Sequence, residues 1–174
     1  MEADQHIIET QWRRRKGTKT PPTIRTITRS GQPGVTYDPV HADLQGKLFK
    51  LLEARFGKDN VDLEADFVDI TITDGQRKIL VEIKSDPDPR VAIRHALGQI
   101  LEYAYFNPDA KNDDAQLIIV APGPITDKVS EYLERLRARF GIPVVYSAFS
   151  LSDKLPTVFT GGAHSSVPAA KSVI

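Results

Sequence analysis

The sequence contains no cysteine. That excludes disulfide frameworks, thiolate metal sites and a cysteine nucleophile, and it agrees with a reducing, cytoplasmic setting. Long apolar runs are missing as well: stretches such as Leu117–Ala121 are far too short to span a bilayer. Met1–Thr10 carries acidic residues and no apolar core, so it does not read as a secretory signal. A cytoplasmic protein with no membrane partner is expected. Neither a Gly-rich phosphate loop ending in Lys-Ser/Thr nor a Gly-x-Ser-x-Gly elbow occurs, so any motor or targeting activity would belong to a separate protein. The 4 histidines (His6, His41, His95 and His164) lack zinc-site spacing.

What is present fits one globular domain. A chain of 174 residues, 40% hydrophobic and 26% charged, can bury about two-thirds of its unfolded surface. The formal net charge is zero, but its distribution is uneven. Between Gln11 and Ser30 lie Arg13, Arg14, Arg15, Lys16, Lys19, Arg25 and Arg29 without a single acid. Residues 1–38 show no sustained period and carry Thr-Pro-Pro and Gly-Gln-Pro-Gly breakers, which marks a basic N-terminal arm with Thr23–Thr28 as an isolated strand candidate. Trp12 with Arg13, Arg14, Arg15 and Lys16 is its nucleic-acid-binding candidate, since arginines pair with phosphates and an indole stacks on a base. Residues 39–160 read as the folded domain. Residues 161–174, rich in Gly, Ser, Ala and Pro, read as a disordered tail.

Within the domain, Leu44, Leu48, Leu51 and Leu52 recur at helical spacing between Pro39 and Gly57. Val61–Ala65 is a short strand candidate. Phe67–Thr73 and Arg77–Ser85 are β-branched runs separated by Asp74-Gly75, a two-residue hairpin signal. A helix is expected from Pro89 to about Phe106, a strand at Leu117–Ala121, a helix at Thr126–Phe140 and a strand at Val144–Ser147. The expected fold is α/β, with a mixed central sheet flanked by helices.

A turn at Asp74-Gly75 pairs Thr73 with Gln76, Thr71 with Lys78, Asp69 with Leu80 and Phe67 with Glu82. Because faces alternate along strands, Val68, Ile70, Ile72, Ile79, Val81 and Ile83 share a core-facing surface. Asp69, Glu82 and Lys84 share the other, with the two carboxylates diagonal and roughly 5–7 Å apart at their β-carbons. Carboxylates that close share a cation or a proton. Mg²⁺ (or Mn²⁺) suits such a pair, and the Ile83 backbone carbonyl offers a further oxygen ligand. On the following helix, His95, Gln99 and Tyr103 form one polar stripe at four-residue spacing.

Asp69, then Glu82-x-Lys84, then Gln99-x-x-x-Tyr103 resembles the PD-(D/E)XK nuclease superfamily, especially its RecB-like and Holliday-junction-resolvase-like branches. The resemblance runs from about His41 to Ala121. It implies a restriction-endonuclease-like αβββαβ core and a metal-dependent nuclease acting on DNA, with RNA not excluded. It further implies that Asp69 and Glu82 bind Mg²⁺, that Lys84 assists the attacking water, and that Gln99 and Tyr103 position the metal, the lysine or a phosphate. Where that family often carries a first-helix glutamate, the best match here is Gln45, a candidate ligand through its amide oxygen, with His41 one turn earlier. That departure keeps a second expectation open: a catalytically inactive module that binds nucleic acid or a protein partner. Double-strand cutting would require two such sites, hence a homodimer. A structural dimer using Gln99–Tyr103 as interface is a third reading.

Overall fold

In the computed structural model, which describes residues 16–20, 38–106, 112 and 114–160, every long helix starts at a side chain that satisfies a free backbone N–H. Asp38 accepts from the amides of Val40 and His41 and opens α1 (Pro39–Phe56). Asp88 accepts from Arg90 and opens α2 (Pro89–Tyr105). Thr126 accepts from Val129 and opens α3 (Asp127–Phe140), which Gly141 closes in the left-handed conformation at φ 67°. These are the three helices that the spacing of apolar residues predicts, with ends shifted by a residue at most.

Five strands form one sheet in sequence order: β1 (Val61–Leu63), β2 (Ile70–Asp74), β3 (Arg77–Ile83), β4 (Gln116–Ala121) and β5 (Val144–Ala148). The first three pair antiparallel, and β4 and β5 run parallel to β3. The architecture is therefore α/β around a mixed sheet. Its two faces carry separate cores. One packs Leu44, Leu48, Phe49 and Leu52 of α1 on Ile70, Ile72, Ile79, Val81 and Ile83, and is closed by Phe149 and Phe159. The other packs Ala92, Ile93, Ala96 and Ile100 of α2 and Val129 and Leu133 of α3 on Leu80, Leu117 and Ile119.

Three local expectations are corrected. The hairpin turns at Gly75-Gln76, with Asp74 paired to Arg77 and Ile70 to Val81. Gly75 has φ 62° whereas Gln76 does not enter the positive region, so a single left-handed corner in the first position suffices, as in a type II′ turn. The register thus moves by two residues from the expected one, which preserves facing parity along β2 and β3, and Ile70, Ile72, Ile79, Val81 and Ile83 keep one apolar face. Second, β2 begins at Ile70 rather than Phe67. Glu64, Asp66 and Phe67 all have positive φ, and this contorted turn sends Val68 into the α2 core instead of the α1 face. Third, part of the arm is docked: Thr18 exchanges two 2.8 Å backbone hydrogen bonds with Leu63 on the edge of β1. The Thr23–Thr28 strand candidate, Trp12, Arg13–Arg15 and the 161–174 tail lie outside the described residues.

Candidate functional site

Along β3, Leu80, Glu82 and Lys84 alternate toward α2, while Ile79, Val81 and Ile83 face α1. The charged pair stands where the strand leaves the double cover of helices. Glu82 is 2% exposed, and Lys84 reaches the rim. The Lys84 ammonium donates to Glu82 Oε1 at 2.7 Å and to Gln99 Oε1 on α2 at 2.6 Å. Tyr103, one turn further along α2, is hydrogen-bonded by the Gln99 side chain. Burial, and then the nearby Glu82 charge, push its hydroxyl up to about 12. The polar stripe of α2 therefore faces the charges of β3 at Gln99 and Tyr103, whereas His95 lies exposed.

Asp69 enters from the other side. It sits just before β2, where the β2–β3 ladder ends, and its Oδ2 accepts the Ile83 amide at 2.7 Å. The carboxylate replaces the backbone partner that Ile83 would have had if β2 continued. In an antiparallel pair a residue's N–H and C=O point to the same neighbour, so the Ile83 carbonyl opens toward Asp69. The Asp69 backbone carbonyl is itself held by the Glu64 amide at 3.2 Å and by Gln45 Nε2 at 3.1 Å.

From α1, the side chain that meets the carboxylates is His41. Its Nε2 lies 3.4 Å from Asp69 Oδ1, and that hydrogen bond raises its pKa above the usual 6.5. Gln45, buried at 2% exposure, uses its amide nitrogen to fix the Asp69 backbone. The start of α1 is tied to the exit of β3 by a hydrogen bond from Ser85 Oγ to Asp38 Oδ2. Spacing alone did not reveal that link, although Asp38 ahead of Pro39 is a recognisable cap.

The electrostatics are unbalanced around Glu82. Burial, followed by the Asp69 charge, pushes its carboxyl up to about 7, against the pull of Lys84. Its Oε2 is buried without any hydrogen-bond partner. A buried carboxylate oxygen left bare costs free energy unless a proton or cation reaches it. Two carboxylates, a strand-end carbonyl and a neighbouring imidazole are hard or borderline donors that suit Mg²⁺ or Mn²⁺. Among the described residues no group of three or more His, Asp or Glu side chains encircles one point. Any octahedral ion would therefore keep several waters. The structure thus brings together Asp69, Glu82, Ile83, Lys84, Gln99 and Tyr103, with Gln45 behind them. Lys16 stands apart, exposed on the docked arm segment. Comparisons with protein-family models, curated proteins and solved structures found no match to the chain.

Proposed function

We propose that this chain is a Mg²⁺- or Mn²⁺-dependent nuclease that hydrolyses phosphodiester bonds of DNA on a restriction-endonuclease-like core of the PD-(D/E)XK type. The observation that carries the reading is the unpartnered, buried Oε2 of Glu82 beside Asp69 and under Lys84. The order α1-β1-β2-β3-α2-β4 supports the αβββαβ core. Asp69 and Glu82 would hold the ion, with the Ile83 carbonyl and, once it releases Asp69, His41 Nε2 as additional donors. A bound divalent cation neutralises phosphoryl charge and eases ionisation of water near neutral pH.

The chain's own groups account for the rest. Lys84, fixed between Glu82 and Gln99, presents its remaining N–H to a phosphate oxygen or to the attacking water. Gln99 holds that ammonium in place, and Tyr103 closes the site behind it. Asp69 is oriented by the Ile83 amide and by Gln45, so little reorganisation is needed when substrate arrives. A second reading, a silent nucleic-acid or protein-binding module, draws on Gln45, which stands where a first-helix acid is expected and spends its amide N–H on the Asp69 backbone carbonyl.

Incubation of the purified chain with plasmid, single-stranded DNA and RNA in Mg²⁺, Mn²⁺ or EDTA separates the two. Metal-dependent cleavage is expected, reduced on the order of 100-fold or more in Asp69→Ala and Lys84→Ala. Equal residual cleavage by both variants would mark a contaminant and leave the silent module standing.

A further inference from the structure

The turn between β1 and β2 keeps a large aromatic at the surface in a backbone conformation that disfavours it. Glu64, Asp66 and Phe67 have φ of 52°, 49° and 70°, a region that glycine enters freely and bulky side chains rarely enter. The turn is nevertheless closed. The Glu64 amide donates to the Asp69 carbonyl at 3.2 Å and the Val68 amide to the Ala65 carbonyl at 3.0 Å. Gln45 Nε2 donates to the same Asp69 carbonyl, and Val68 is buried in the α2 core. Phe67, fixed beside that buried valine, stays 46% exposed. Strained backbone that the surrounding structure holds in place clusters at sites of ligand contact.

The position of Phe67 says which ligand. It stands two residues before Asp69, so the two Cα atoms are at most about 7 Å apart. Ile70 pairs with Val81, and the same count carried past the end of the ladder brings Phe67 level with Lys84. A phosphate held by Asp69, Glu82 and Lys84 would set its nucleoside roughly two stacked-base spacings of 3.4 Å from Phe67. The tip also carries the carboxylates of Glu64 and Asp66, which repel a phosphate backbone and leave the uncharged face of a base as the group that can approach. A base can stack on a protein ring only when it is not paired and stacked inside a duplex.

We propose that Phe67 is a stacking platform for an unpaired nucleobase next to the bond to be cut, so that the site takes single-stranded DNA, or a duplex opened at that nucleotide, in preference to intact duplex. The place of the cut rests on the nuclease reading, whereas the stacking does not. Because the closed turn presents the ring already fixed, little conformational freedom is lost when a base lands on it.

Fluorescence anisotropy of a fluorescein-labelled single-stranded DNA 20-mer and of its duplex, titrated with the full-length chain in EDTA, tests this without cleavage. The unmodified chain should bind the single strand more tightly than the duplex. Phe67→Ala should weaken single-strand binding on the order of 10-fold and duplex binding by less, and Phe67→Trp should bind as well as the unmodified chain. Phe67→Leu keeps apolar bulk without a π-face and should bind as weakly as Phe67→Ala. Thermal melts separate stacking from a role in folding: Phe67→Ala and Phe67→Gly, the latter free of the positive-φ penalty, should melt within roughly 3 °C of the unmodified chain. Single-strand binding unchanged in Phe67→Ala and Phe67→Gly would overturn the proposal. So would an equal loss on single strand and duplex, no measurable single-strand binding by the unmodified chain, or both variants melting far below it. Metal-dependent cleavage alongside unchanged binding by Phe67→Ala would remove the platform and keep the nuclease reading. Phe67-dependent binding with no cleavage in any divalent metal would do the reverse.

Discussion

Glu82 is a carboxylate whose second oxygen meets no donor, and this has a measurable consequence in the metal-free protein. Its carboxyl is pushed up to about 7 in the fold, against 4.5 in a free side chain, chiefly by burial and then by Asp69. Between those two values the folded state holds a proton that the unfolded state has released, so stability falls as pH rises through the window. His41 works in the same direction, because its pKa is raised above 6.5 by Asp69 and the stabilisation it gives fades as pH climbs through the raised value. Thermal melts in EDTA should therefore show Tm declining from about pH 5 to about pH 8, and Glu82→Gln should flatten that decline. Adding Mg²⁺ or Mn²⁺ should raise Tm, more at about pH 8 than at about pH 5.5, because an ion must displace the proton at low pH. A Tm that rises across the same range without metal would mean that Lys84 alone satisfies the ionised carboxylate.

At the scale of elements, the seam between α1 and β3 depends on Asp38, which caps two amides and accepts from Ser85. Asp38→Ala should cost about 1–2 kcal/mol in urea denaturation, and Ser85→Ala less, since the cap would persist. The helices and most strands were legible because their signals are local. Asp88-Pro89, Gly141 and the leucine spacing of α1 each name a boundary or a face. That Glu82 and Lys84 share a facing was legible for a subtler reason, since moving the hairpin by two residues leaves side-chain parity along β3 untouched. What escaped were features set by backbone conformations that no residue type announces. Glu64, Asp66 and Phe67 adopt positive φ without a glycine among them, so nothing in their chemistry foretold the turn that redirects Val68 and frees Asp69 to cap Ile83. The docked part of the arm was equally silent, because Lys16–Thr20 has no alternation and is held by backbone bonds and by Lys19 on the carbonyls of Lys58, Asp59 and Val61 rather than by an apolar face. The meeting of His41 with Asp69 depended on where α1 lies across the sheet, which periodicity does not fix.

At the scale of the molecule, two cores flank one sheet among the described residues, and the α1 core is completed by residues that follow β5. Phe149 is fully buried there and Phe159 nearly so. Phe149→Ala should lower stability by about 3–5 kcal/mol, read from the denaturation midpoint at unchanged slope, and should do so whether or not metal is present. No helix among the described residues is long and apolar enough to cross a membrane. The substitution of the Asp69 carboxylate for a missing strand partner has a consequence on an evolutionary scale. The side chains of Glu82 and Lys84 bond only to other side chains, so, on the proposed nuclease reading, a descendant that abandoned cleavage could lose them and keep its architecture. Asp69 is also a joint of the sheet, so selection for folding alone would retain it. In a lineage drifting toward silence, the aspartate would be the last of the three to disappear.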